Sequence, residues 1–234
     1  MPIDRLRWSL EHCEGISAES LERVAAMGGS IGIQNRLSLD GEQYLARQGA
    51  AAAADAPPIG RMRSMGIPLA GGTDGNRATS HNPWIAIHWM LTGETVGGLR
   101  LNGDANLLDR TEALRLFAHA GARMSYEDNV KGTLEPGRLA DLAVLTADYF
   151  SIADEAVKSL ESLLTIVGGK IVYAAGPFSY LSPPLLPVSA DWLPSHHFDG
   201  YRKGGPAVQR APIHPNQALF MPRWPGFECA CAFG

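Results

Sequence analysis

Two side chains suited to metal-assisted or acid–base chemistry close apolar runs in this chain. His12 follows Leu6 to Leu10 and Glu11, and Asp74 closes Gly71-Gly72-Thr73-Asp74 after Gly66-Ile67-Pro68-Leu69-Ala70. An Asp on a glycine-rich turn after a strand sits where backbone can approach a ligand closely. In a parallel α/β barrel that edge is the catalytic face, so Asp74 is a candidate metal ligand or general base, and His12, ending an earlier strand, would point at the same mouth. The ordinary readings are a solvated Gly-Asp turn and a hydrogen-bonded surface histidine.

Other candidates carry weaker signals. His81 and His88 lie seven residues apart on or before the segment Pro83 to Leu91, a spacing compatible with one helix face. His119 falls within a helical pattern, His196-His197 in a proline-rich stretch, and Trp84 and Trp89 read as core or rim packing. Cys229 and Cys231 form a Cys-x-Cys pair without two further ligands nearby, so the pair reads as incidental. A Gly-x-Ser-x-Gly elbow, a Walker loop and a Gly-x-Gly-x-x-Gly after a strand are all absent.

The elements that must position these residues fall into three zones. Up to about Gly98, strand and helix signals alternate. Ser17 reads as the N-cap of a helix with Glu19 in its first turn, Leu21, Val24 and Ala25 on its apolar face, and Gly28-Gly29 as its stop. Ser30-Ile31-Gly32-Ile33-Gln34 reads as a strand. A loop with a short helix around Gly41 to Gly49 follows, which the alanine run 50–54 would continue, and Pro57-Pro58 opens another helix. This order predicts right-handed βαβ units with a parallel sheet.

From Leu99 to Gly176 a helix capped by Asp109 and Glu112, with Ala113, Leu116, Phe117 and Ala120 as its stripe, precedes a β module. Asp141 to Leu145 reads as a buried strand, and Gly168-Gly169 as a two-residue hairpin turn between 164–167 and 170–173. From Pro177 onward the chain holds ten of its sixteen prolines and reads as an extended tail.

Composition narrows the function classes. Of 234 residues, 45% are hydrophobic and 19% charged, enough for a sizeable core. A net charge of −4 with scattered basic residues argues against nucleic-acid binding. No run suits a membrane span or a signal peptide, and three cysteines make no disulfide framework, so a cytoplasmic setting is expected.

Gly132-Thr133-Leu134-Glu135-Pro136-Gly137-Arg138-Leu139-Ala140-Asp141-Leu142-Ala143-Val144-Leu145 resembles the C-terminal signature of metal-dependent amidohydrolases, the run that leads from the last barrel helix into a small β-sandwich. Thr165 to Tyr173 resembles the closing hairpin of that sandwich, and the resemblance extends back through Gly72-Thr73-Asp74 to Glu11-His12. The nearest group is the YtcJ-like, or amidohydrolase-3, branch. The resemblance implies an α/β fold: the C-terminal part of a TIM (β/α)8 barrel, about strands 6–8 with their helices, plus part of a β-sandwich. The implied divisions are 1–130 for the partial barrel, 131–176 for the sandwich segment and 177–234 for the tail.

It also implies roles. Asp74 matches the metal-binding general base after the eighth strand, and His12 the metal or substrate ligand after the sixth. Gln34 lies after the seventh strand, where side chains often touch substrate, and His81 lies in the one candidate specificity loop, Thr79 to Thr95. The implied activity is hydrolysis of carbon–nitrogen bonds other than peptides in a small-molecule substrate, at a divalent metal, with zinc first. The family site also uses a His-x-His pair after the first strand, a Lys or carboxylate after the fourth and a His after the fifth; no His-x-His occurs here. The chain is therefore expected to be an incomplete barrel whose metal site is assembled only with an upstream-half chain or another copy, from a truncated gene, an internal start or a split protein. The alternative is a catalytically inactive remnant or interaction module that pairs through its exposed barrel edge.

Overall fold

A computed structural model describes residue 3 and residues 6–75 and 79–184. Three parallel strands come first: β1 (Ser9–Glu11), β2 (Ser30–Ile33) and β3 (Leu69–Gly71), in the order β1-β2-β3. Their register pairs Leu10 with Ile31 and Ile31 with Leu69. Helix α1 (Ala18–Ala26) connects β1 to β2; α2 (Leu37–Gln48), α3 (Ala50–Ala54) and α4 (Ile59–Ser64) connect β2 to β3. The βαβ order expected from the alternating signals is present.

Local chemistry explains most boundaries. The Ser17 side chain accepts the Ser20 N–H at the start of α1, and Leu21 and Val24 turn into the core. The alanine run does not continue α2. Gly49, at φ 82°, breaks the helix there, and α2 starts earlier than Gly41 would suggest, at Leu37, with no side-chain cap. Burial of Leu37, Ser38 and Gly41 holds this first turn in place of a cap.

The core lies between the sheet and its helices. Ile31 and Ile33 of β2 are fully buried beside Leu21, Ile59 and Met62. Helix α5 (Pro83–Thr92) presents a continuous buried run from Ile85 to Met90, capped by Asn82 at its start and by left-handed Gly93 at its end. Helix α6 (Arg110–Phe117) carries the capping box expected at Asp109 and Glu112. The chain then bends at Ala118 into α7 (His119–Met124), so His119 begins a second helix and stays exposed.

Close packing makes Gly60 testable. Its N–H donates to Asn106 Oδ1 at 2.9 Å, and a Cβ at this position would lie 2.4 Å from the Ala105 carbonyl oxygen. Gly60→Ala must push the 3-10 turn Asp104–Asn106 away from α4 and is expected to cost about 1–3 kcal/mol, read by urea denaturation.

A second sheet, antiparallel, orders β4 (Leu142–Leu145), β5 (Ser162–Val167) and β6 (Lys170–Ala174). Gly168 and Gly169 both adopt positive φ, the geometry a two-residue hairpin requires. The strand expected to be buried, Asp141 to Leu145, is instead half exposed: Ala143 and Val144 face outward. A short helix, α8 (Asp154–Val157), lies between β4 and β5 and packs against α5. Arg110 ties α6 to this region, donating to the Tyr149 and Ile152 carbonyls and pairing with Asp154. A 3-10 segment, Gly176–Leu181, follows β6 where the tail was expected to begin; the prolines beyond Pro184, the pair His196-His197, and Cys229 and Cys231 lie outside the described residues. Among the described residues, no helix is long and apolar enough to cross a membrane.

Candidate active site

His12 and Asp74 meet at the C-terminal edge of the parallel sheet. His12 follows β1 and Asp74 lies three residues beyond β3; His12 Nε2 is 4.0 Å from Asp74 Oδ2. Both residues sit in the left-handed region, His12 at φ 72° and Asp74 at φ 49°, with Cys13 at φ 59° beside them. Non-glycine residues enter this region at a cost, which histidine and aspartate bear better than most. The strand ends thus turn sharply enough to aim both side chains at one point.

Gln34 sets the position of His12. The His12 N–H donates to the Gly32 carbonyl and to Gln34 Oε1, each at 2.9 Å. Gln34 Nε2 in turn donates to Glu11 Oε2 at 2.5 Å, and Gln34 is buried. The amide bonds the end of β1 on both sides, so Gln34 is first a brace. Gly32 leaves room for the arrangement: a Cβ there would overlap the Glu11 carboxylate.

Glu14 was not singled out by the sequence. Its Oε1 lies 3.7 Å from His12 Nδ1, on the ring edge opposite Asp74, and both atoms are buried without a hydrogen-bond partner. At 3.7 Å the carboxylate faces the ring nitrogen without a hydrogen bond, and a modest approach would give the N–H···carboxylate partner that metal-binding histidines use. Glu14 and Asp74 flank the imidazole with negative charge that a divalent cation would offset. The donor set therefore fits one side of a metal site. Sequence reading could have found Glu14 only through its position two residues after His12, which by itself distinguishes nothing.

His81 reaches the same neighbourhood through backbone packing. A Cβ on Gly75 would lie 2.4 Å from His81 Cα, and the Thr79 hydroxyl donates to the Thr73 carbonyl, so the chain folds back beside Asp74. His81 is exposed and precedes the N-cap of α5, whereas His88 is buried inside that helix. The two histidines do not share a helix face, because Asn82 and Pro83 start the helix after His81.

Cys13 is held as the thiol. Burial first, then the Glu14 and Glu11 charges, push its thiol up to about 11. Because the thiolate forms only as pH approaches that value, alkylation of Cys13 at pH 8 should run roughly two orders of magnitude slower than that of a free thiol, and should accelerate steadily with pH. Site-resolved mass spectrometry after iodoacetamide treatment reads this.

The amidohydrolase family model Amidohydro_3 matches residues 2–173. The chain belongs to the amidohydrolase family. It is 29% identical over 128 residues to 5-methylthioadenosine/S-adenosylhomocysteine deaminase of Symbiobacterium thermophilum, a match covering 50% of this chain and 28% of the relative. It is 27% identical over 168 residues to the Bacillus subtilis protein YtcJ, named for a provisional amidohydrolase assignment, covering 70% of this chain and 31% of YtcJ. Among solved structures, Escherichia coli guanine deaminase matches with a TM-score of 0.53 and 20% identity, over 73% of this chain and 40% of that one. Zinc-bound atrazine chlorohydrolase TrzN of Arthrobacter aurescens TC1 matches with a TM-score of 0.52 and 18% identity, over 79% of this chain and 38% of that one. The fold is thus of the TIM-barrel type that these amidohydrolases share. The chain spans about a third of the length of these relatives.

Proposed function

We propose that this chain supplies part of an amidohydrolase active site that hydrolyses non-peptide carbon–nitrogen bonds in a small molecule. Its three parallel strands stand as strands six to eight of the barrel. His12 and Asp74 are its ligands to one divalent ion, with zinc the first choice, and Asp74 is the general base. The observation that carries the proposal is the convergence of His12 Nε2 and Asp74 Oδ2 at 4.0 Å from two different strand ends. When bound, the metal would lower the pKa of a water and polarise the carbon to be attacked.

The chain's own groups do the rest. Asp74 removes a proton from the attacking water and returns it to the departing nitrogen. Glu14 keeps the His12 ring oriented, and Gln34 fixes the backbone beneath it. His81, exposed beside the Asp74 turn, contacts substrate, as does the Gln34 N–H not used on Glu11. The relatives named as deaminases support a substrate with an amide, cyclic amide or imine carbon.

One imidazole and one carboxylate fall short of the three protein ligands of a catalytic zinc. Other ligands must come from residues beyond this pair. A second reading rests on β1, exposed at all three positions: an edge strand offers unpaired backbone groups, and the chain would then act as a non-catalytic pairing module. Co-expression with the N-terminal half of a family barrel, followed by amidase and deaminase assays before and after chelation, separates the two. Activity lost with the chelator and restored by zinc supports the hydrolase. A stable assembly that binds zinc yet turns over no carbon–nitrogen substrate supports the pairing module.

A further inference from the structure

A second cluster of ligand atoms lies away from the barrel mouth. A ring nitrogen of His88, a carboxylate oxygen of Glu94 and one of Glu155 all lie within 4.8 Å of one another, the one group of three or more such atoms among the described residues. His88 is buried in α5 with its Nε2 3.1 Å from Glu155 Oε2, while Glu94 and Glu155 are exposed. The three residues come from separate elements: α5, the turn after it, and α8.

Each is held before any ion arrives. Gly93 ends α5 in the left-handed conformation, and a Cβ there would crowd Asn102, so the chain must reverse at that point. The Glu94 N–H donates to Thr92 Oγ1, whose hydroxyl donates to the His88 carbonyl, and Glu94 pairs with Arg100 in an isolated β-bridge. On the far side, α8 packs on α5, and Lys158 neutralises the other oxygen of Glu155. The Lys158 ion pair also holds the Glu155 carboxyl below the usual range, so the carboxylate is ionised at neutral pH. The His88–Glu155 contact accounts for two of the three groups as a plain ion pair. It does not account for Glu94, which adds a second carboxylate beside Glu155 at an electrostatic cost.

We infer that His88, Glu94 and Glu155 form a divalent transition-metal site that clamps α5 to α8. One imidazole nitrogen and two carboxylate oxygens suit zinc, cobalt(II) or manganese(II), with solvent completing the shell on the open side. Binding would be structural: the ion joins α5 to the segment between β4 and β5 of the second sheet.

The test uses the full chain and zinc alone, with affinity measured by competition against a chromophoric chelator. Glu94→Gln breaks none of the hydrogen bonds or ion pairs described here, keeps the His88–Glu155 pair, and should weaken zinc binding by about tenfold or more. Glu155→Gln should do the same. Glu22→Gln, an exposed carboxylate on α1 outside both clusters, should leave this affinity unchanged. Zinc should raise Tm in the parent protein and not in the Glu94→Gln protein, whose Tm without metal matches the parent. Zinc affinity within twofold of the parent in both glutamate variants, or no zinc binding at all, would overturn the inference. A Tm that falls in Glu155→Gln alone, with no zinc effect in any protein, would leave the ion pair as the whole explanation.

Discussion

Asp74→Asn should lower turnover of a carbon–nitrogen substrate by roughly 10²- to 10⁴-fold in the assembled barrel, the contribution usual for a positioned general base. Asparagine is the informative replacement. The residue stands at φ 49°, a conformation asparagine shares with aspartate and alanine resists, so the backbone turn survives while the proton acceptor is lost. The side chain is about one-third exposed, and its contact with His12 is too long for a hydrogen bond. Little change in Tm is therefore expected. Steady-state kinetics on the zinc-loaded protein, beside a thermal melt, gives both quantities. Activity within about tenfold of the parent would contradict the general-base role and leave Asp74 as a turn residue or metal ligand only.

The largest effect on stability should come from Trp89. It is only 1% exposed, the largest of the fully buried side chains among the described residues, and belongs to the hydrophobic core through α5, which packs on α6 and α8. Trp89→Ala should cost about 3–5 kcal/mol, because surrounding helices cannot collapse into the vacated volume. Against a typical total of about 5–15 kcal/mol, that brings the fold close to unfolding. The indole N–H is buried without a hydrogen-bond partner. Trp89→Phe removes that unsatisfied donor and keeps most of the ring, so it should cost far less than the alanine variant. Urea denaturation of the pair resolves the two contributions; equal losses would show that the indole N–H does find a partner in solution.

Both experiments turn on features that sequence reading reached unequally. Asp74 and His12 were legible because each ends an apolar run, and the glycines before Asp74 mark a turn. Trp89 was recognisable only as packing. Its depth and its unpaired N–H depend on elements distant in the chain, such as α6 and α8, packing against α5. Glu14 and Gln34 show the same limit more sharply. Gln34 was read as a substrate contact from its place after a strand; only the structure adds that its amide also bonds Glu11 and the His12 backbone.

What the sequence by itself determined was local. The Ser17 cap, the Asp109–Glu112 capping box and the Gly168-Gly169 hairpin each rest on hydrogen bonds or φ values set within a few residues. The alternating periods likewise dictated parallel strands joined by helices. Tertiary structure alone decided which carboxylate stands behind His12, where α2 begins without a cap, and why β4 is left half exposed. It also decided that His88 meets a glutamate 67 residues away. Caps and turns are stabilised by groups already adjacent in the chain. A contact between distant residues acquires its distance and its burial only when whole elements pack together.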